Sequence, residues 1–170
     1  VLVGSFKAWL SDTTGSPSTR FAQSPVPYVR LDGVTVASSW ADLTDGTLLN
    51  PINRTETGAI SSNVVNFSST EFNGTVANNQ GFDPDPSCSN WTSASGGIHP
   101  GFNTRTNSEW SWFGGGSSCD GPLGLYCFEQ WLREDVYLPD AASLALHHLY
   151  RSMDFLESHK TGVEKAVYFA

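Results

Sequence analysis

Charge is scarce in this sequence. Only 15% of its 170 residues are Asp, Glu, Lys or Arg, while 39% are hydrophobic and 12% aromatic. A disordered acidic chain needs the opposite balance, so a folded core is expected. Basic residues are scarcer still, with 9 Lys plus Arg against 17 Asp plus Glu and a net charge of −8. A surface of that sign repels a phosphate backbone, which excludes nucleic acid as the main partner. Long apolar runs are missing too. None approaches the ~18 residues that span a bilayer, so no membrane insertion is expected. The chain has no Gly-x-Ser-x-Gly, no His-Glu-x-x-His and no phosphate-cradling glycine loop. Gly114-Gly-Gly-Ser-Ser-Cys119 is rich in glycine, but no lysine follows it.

Histidine, the usual base beside a catalytic nucleophile, is equally thin. His99 is the only one in the first 130 residues. Its setting, Gly96-Gly-Ile-His-Pro-Gly101, reads as a flexible loop with the imidazole facing solvent. His147 and His148 are adjacent, so on a helix their side chains diverge by about 100° and share no metal. The expectation is a protein without catalytic residues or cofactor, and coupling of His99 to a nearby carboxylate would reopen the question.

What the chain does have is distributed unevenly. Residues 1–130 hold all but one of the 16 glycines, all but one of the 9 prolines and all three cysteines. Such a stretch predicts short strands joined by long polar loops. Ser5–Leu10 alternates like a strand and breaks at Ser11-Asp12. Tyr28–Ala37 predicts a hairpin with Asp32-Gly33 at its tip. Ser38–Leu43 predicts one helical turn behind a serine cap, and Val64–Phe67 and Leu125–Phe128 predict further strands. Trp9, Trp40, Phe67, Trp91 and Phe128 are the predicted core aromatics. Beyond residue 130 the pattern changes. Ala142, Leu146, Leu149, Met153 and Leu156 fall on one helical stripe behind Pro139, which predicts a helix over 139–160. Residues 163–170 read as a short helix or frayed end. The division is thus a domain over 1–130 and a helical tail over 131–170. The chain starts at Val1 without methionine or a signal-like segment, as a processed or trimmed piece would.

Cysteine is the sharpest covalent clue. Cys88, Cys119 and Cys127 form no Cys-x-x-Cys pair and have no histidine cluster beside them, which argues against zinc and for disulfide chemistry. Cys88 and Cys119 flank a loop rich in Gly, Ser and Asn, and closing such a loop stabilises by roughly 3 to 4 kcal/mol. Cys127 then stands alone, either as a buried thiol within a strand or with a partner upstream of Val1. Asp83 and Asp85, near Asn73, Asn78 and Asn79, offer oxygen ligands to calcium, but Asp-Pro-Asp-Pro is also a rigid turn. Trp110, Trp112 and Phe113 lie between Asn-, Ser- and Gly-rich stretches. They read either as a face for sugar rings or a partner protein, or, for the alternating Trp110 and Trp112, as one side of a buried strand. Four Asn-x-Ser/Thr sequons begin at Asn53, Asn66, Asn73 and Asn90.

Several of these pieces occur in a familiar order. Gly4-Ser-Phe-Lys-Ala-Trp-Leu-Ser11, Val26-Pro-Tyr-Val-Arg-Leu31, Ser38-Ser-Trp-Ala-Asp-Leu43, Ser87-Cys-Ser-Asn-Trp-Thr92, Cys119 and Leu125-Tyr-Cys-Phe-Glu129 resemble successive segments of the endostatin domain and related bacterial extracellular domains of C-type-lectin-like fold. The resemblance covers about residues 1–130. It implies an α+β domain of antiparallel strands and long loops, to which the stripe over 139–160 adds a C-terminal helix. It also implies a Cys88–Cys119 disulfide, with Cys127 pairing in the family to a cysteine on an N-terminal helix that this chain lacks. A natural variant with an unpaired Cys127 is the alternative. The calcium signatures of sugar-binding lectins, Glu-Pro-Asn, Gln-Pro-Asp and Trp-Asn-Asp, are absent. So is the arginine-rich face that heparin binding requires, since residues 1–130 contain only Lys7, Arg20, Arg30, Arg54 and Arg105. The tail, roughly 139–168, resembles a helical segment of insertion-sequence transposases. It brings no set of three catalytic acids and implies no nuclease activity.

The functional expectation is a secreted, non-catalytic binding or adhesion module. Its loops between about Asn50 and Gly121 would meet a glycan or a cell-surface or matrix protein. The alternative is a structural subunit that assembles with copies of itself into an extracellular coat or filament through the stripe at 142–156 and the odd cysteine.

Overall fold

The alternating segment near the start forms strand β1 (Ser5–Ala8), which pairs antiparallel with β8 (Tyr126–Gln130) from Ser5↔Gln130 to Ala8↔Cys127. These come from a computed structural model that describes residues 4–77, 87–130 and 165–169. Along β8 burial alternates with the pleat: Tyr126, Phe128 and Gln130 are buried, Cys127 and Glu129 half-buried. The predicted hairpin is present as β2 (Tyr28–Arg30) and β3 (Thr35–Ala37), antiparallel with a register shift between Tyr28 and Val29. Gly33 carries φ +81° at its tip, and no atom lies within 4 Å of where a Cβ would stand, so backbone conformation rather than space selects glycine there.

Between β8 and β2 the sheet takes in β9 (Lys165–Phe169), antiparallel to β8 and parallel to β2, giving the order β1-β8-β9-β2-β3. This corrects the expectation of a short helix or frayed end over 163–170. Lys165-Ala-Val-Tyr-Phe169 is rich in β-formers, and two neighbouring strands supply ladder partners that a local reading does not see. Val167 is fully buried in the core. The sheet therefore draws strands from both sides of residue 130. The helix predicted over 139–160 lies outside the described residues, as do Asp83 and Asp85.

Two one-turn helices flank the sheet, α1 (Pro17–Arg20) and α2 (Trp40–Leu43). Pro17 opens α1, where a missing N–H costs nothing, and Thr19 Oγ1 accepts from the Ser16 N–H at 3.1 Å. In α2 the predicted serine cap is Ser39, whose Oγ accepts from the Asp42 N–H at 3.2 Å.

The remaining described strands are two residues long. β4 (Val65–Asn66) pairs with β6 (Gly101–Phe102), and β5 (Gly97–Ile98) pairs with β7 (Ser117–Ser118), both antiparallel. A 3₁₀ turn covers Ser108–Trp110. The described part is thus a small α+β arrangement in which the strand pair β2–β9 is parallel and the other strand pairs are antiparallel. No described helix is long and apolar enough to cross a membrane.

The core under the sheet is aromatic. Trp9 is fully buried, its ring centroid 4.8 Å from Trp110, 5.4 Å from Phe128, 5.8 Å from Phe21 and 5.9 Å from Trp40. Leu43, Ile52, Val36, Tyr28 and Tyr126 also belong to it. Burial pushes the Tyr28 phenol up to about 12, although the Ser24 N–H bonded to its oxygen opposes this, and burial raises Tyr126 well above its ordinary value. The predicted core aromatics divide here. Trp9 and Phe128 are central and Trp40 is half-buried against them, whereas Phe67 and Trp91 pack against a second cluster formed by Cys88, Ile98 and Cys119.

Candidate functional site

A seam of buried hydroxyls joins the aromatic core to the loop lobe. Trp9 Nε1–H donates to Ser111 Oγ at 2.7 Å, and Ser111 Oγ–H donates to the Thr70 carbonyl at 2.6 Å. Thr70 Oγ1 bonds Ser11 Oγ at 2.8 Å. Ser11, Ser68, Thr70 and Ser111 are all buried, and their mutual bonds satisfy polar groups that water cannot reach. The seam fixes where the chain leaves the core at Ser111 and hence where the next two aromatic residues stand.

Those two residues, Trp112 and Phe113, are half-buried and turn toward the facing stretch 99–102. The Trp112 ring meets His99 edge-on with centroids 5.0 Å apart, and Phe113 lies 4.5 Å from Phe102. Backbone bonds hold the ledge so formed. The Phe113 N–H donates to the Pro100 carbonyl at 3.2 Å, and Trp112 Nε1–H donates to the Gly115 carbonyl at 3.1 Å. Gly101 lets the two stretches approach, because a Cβ there would sit 2.2 Å from the Trp110 carbonyl oxygen and 2.5 Å from that of Ser111. Two partly exposed rings on a backbone braced by these bonds can stack on a flat apolar surface such as a sugar ring or an apolar side chain.

One residue stands elsewhere than the sequence suggested, and for another the structure decides between the two readings left open. His99 is fully buried, correcting its reading as a solvent-facing loop residue. Its carbonyl accepts from the Ser69 N–H at 2.7 Å, its own N–H donates to Ser69 Oγ at 3.2 Å, and Trp112 covers the imidazole. The glycines around it permit close packing rather than mobility. Trp110 is also fully buried, at the end of the 3₁₀ turn and against Trp9 and Tyr126. It offers no face to a ligand, and it does not share a strand face with Trp112. The sequence missed Phe102 and the Phe102–Phe113 pair. The alternation of Gly97, His99 and Gly101 with Ile98, Pro100 and Phe102 was the available signal.

Behind the ledge a disulfide joins Cys88 to Cys119, with Cα atoms 5.8 Å apart. This is the bond that the resemblance implied. Cys127 takes no part in it and lies half-buried on β8. The residues Cys88, Ser89, Asn90 and Trp91 all have positive φ, from 51° to 63°. They make a left-handed helical turn, a conformation that costs L-residues about 1–2 kcal/mol each. Several bonds offset that cost. Ser87 Oγ accepts from the Asn90 N–H at 3.1 Å, Asn90 Oδ1 accepts from the Thr13 N–H at 3.0 Å and from Thr13 Oγ1 at 2.9 Å, and Trp91 Nε1–H donates to the Ser11 carbonyl at 3.2 Å.

Two carboxylates elsewhere, Asp32 and Asp12, are held in ion pairs. Burial alone would raise the Asp32 carboxyl, but Arg30 and Arg54, bonded to it at 2.8 and 2.7 Å, outweigh that and hold it below the usual carboxylate range. Asp12 is likewise held low, with Thr14 and Arg20 bonded to it overcoming the effect of burial. Among the described residues no group of three or more His, Cys, Asp or Glu side chains gathers to hold a metal. The chain matches no known family model, no curated protein and no solved structure.

Proposed function

We propose that this chain is a non-catalytic extracellular binding or adhesion module of C-type-lectin-like, endostatin-like fold. It recognises a glycan or a cell-surface or matrix protein with the ledge formed by Trp112 and Phe113. The observation that carries the reading is the pairing of these two half-exposed rings with His99 and Phe102 on a backbone held by Gly101. The disulfide and the lack of a described membrane-spanning helix are compatible with secretion.

The test is a screen of the full chain against immobilised glycans and matrix proteins, with and without a calcium chelator. A specific ligand is expected, retained under chelation and weakened at least tenfold by Trp112→Ala and by Phe113→Ala. Binding that survives both substitutions would remove the ledge from the reading, and binding abolished by chelation would restore Asp83 and Asp85 as candidates. Sizing under oxidising and reducing conditions should give a discrete monomer. Disulfide-linked multimers would instead favour an assembling coat or filament subunit.

A further inference from the structure

The four sequons share a tripeptide pattern but not a structural setting. Asn66 is fully buried, and its Nδ2–H donates to the Phe67 carbonyl at 3.2 Å. A glycan there has no room in the folded chain. Asn53 is half-buried and its Oδ1 accepts from Arg30 Nη1 at 3.0 Å, while the hydroxyl of its sequon, Thr55 Oγ1, bonds Thr57 Oγ1 at 2.9 Å. Asn90 is exposed, but its Oδ1 is taken by Thr13, and Thr92 Oγ1–H donates to the Ser89 carbonyl at 2.5 Å. The left-handed turn also sets Asn90 at φ 57°.

Asn73 differs on each count. It is exposed, and its Oδ1 accepts from the Thr75 N–H at 3.0 Å and from Thr75 Oγ1–H at 2.7 Å. Only in this sequon does the hydroxyl bond its own asparagine. Among the described residues its Nδ2 carries no hydrogen bond. The turn that presents it is local. The Glu71 N–H donates to the Thr75 carbonyl and the Gly74 N–H to the Glu71 carbonyl, both at 2.9 Å, with Gly74 at φ +79°. Gly74 itself is buried, and its carbonyl accepts from the Ser18 N–H at 2.8 Å, so the turn is anchored on α1 while Asn73 projects from it.

We infer that Asn73 is an N-glycan acceptor and the one sequon among the four that the folded chain presents for this modification. The donor class is an oligosaccharide linked through C1 to a lipid diphosphate. The Asn73 Nδ2–C1 bond forms as the bond from C1 to the diphosphate oxygen breaks. The lipid diphosphate leaves with the electron pair, and the amide gives one proton to a base of the transferase. Donors on Oδ1 stabilise the negative charge that gathers there as Nδ2 becomes nucleophilic. The inference shares with the proposed function only its extracellular placement, since Asn73 is not part of the ledge.

The test expresses the full chain behind a cleavable signal peptide in a eukaryotic cell line, so that native localisation does not enter the result. Chain from medium and lysate together is digested with peptide-N-glycosidase in heavy-oxygen water and mapped by mass spectrometry. The expected result is a mobility shift on digestion with the isotope label at position 73. Asn73→Gln and Thr75→Ala should each remove most of the shift, Thr75→Ser should restore it, and Asn53→Gln, Asn66→Gln and Asn90→Gln should leave it. No shift in the parent chain, or label at 53, 66 or 90 with position 73 bare, would overturn the assignment. Neither outcome bears on ligand binding by the ledge, which is measured separately on enzymatically deglycosylated chain.

Discussion

Under the five-stranded sheet, Trp9 touches four other aromatic rings, and strands of three to five residues bring Tyr28, Val36, Tyr126, Phe128 and Val167 into the same buried core. In the loop lobe around Cys88 and Cys119, the strands are two residues long and the buried cluster reduces to the disulfide and Ile98 with three partly buried neighbours. The first region is ordered by apolar area removed from water. The second lacks that area, and a covalent bond, side-chain-to-backbone bonds and the hydroxyl seam replace it. A loop lobe built this way can carry a left-handed turn and an aromatic ledge whose local conformations a purely hydrophobic packing would not hold.

The largest effect should come from the sheet side. Trp9→Ala removes a fully buried indole and leaves Ser111 without its donor, which costs about 3–5 kcal/mol. In urea denaturation the midpoint should fall accordingly, and amide exchange should speed up in both regions together, because Trp9 lies at the junction. A loss confined to β1 would show that the lobe stands without the core.

Removing the disulfide should separate the two regions. A chain with Cys88→Ala and Cys119→Ala loses a cross-link spanning 31 residues, worth about 3 to 4 kcal/mol of stability in the unfolded-chain picture. The left-handed turn is then free to relax. Exchange protection should drop at Ser11–Thr14 and at Ser87–Ile98, while Phe128 and Val167 keep theirs. Equal loss at Phe128 would mean that the lobe and sheet unfold as one unit and do not differ in what orders them.

The sheet side was also the more legible in the sequence. The alternation in Ser5–Leu10, the Asp32-Gly33 tip and the Ser39 cap each depend on a few neighbouring residues, and each appears where the pattern put it. Strand β9 was not legible, because its state is set by β8 and β2, which lie far away in the chain. The lobe was harder still. Nothing in Gly96–Gly101 announces that His99 is buried, since its cover comes from Trp112 and its backbone partners from Ser69. Trp110 and Trp112 read alike as letters, yet the 3₁₀ turn at Ser108–Trp110 sends one into the core and the other to the ledge. The disulfide was anticipated through an ordered resemblance, whereas the positive φ values it accompanies have no glycine to mark them.

Acid should sharpen the comparison by the smallest margin. Asp32 braces the β2–β3 hairpin through Arg30 and Arg54, and Asp12 braces the turn whose next residue, Thr13, bonds Asn90 of the lobe. Both carboxyls are held below their ordinary range, each because charged or hydrogen-bonding neighbours outweigh the upward push of burial. Their folded values are therefore lower than the unfolded value near 3.9. The stabilisation is present above that pH and is lost as pH falls through the lower folded values, since the unfolded chain then binds the proton first. Both groups are partly exposed, so each contributes on the order of 1 kcal/mol or less. Asp32→Asn should flatten the acid side of the stability curve below about pH 4 and speed exchange at Val29 and Val34. Asp12→Asn should flatten it by a similar amount but speed exchange at Thr13 and Asn90. If the two substitutions loosen the same amides, the two carboxylates serve one cooperative unit, and the lobe has no stability of its own to lose.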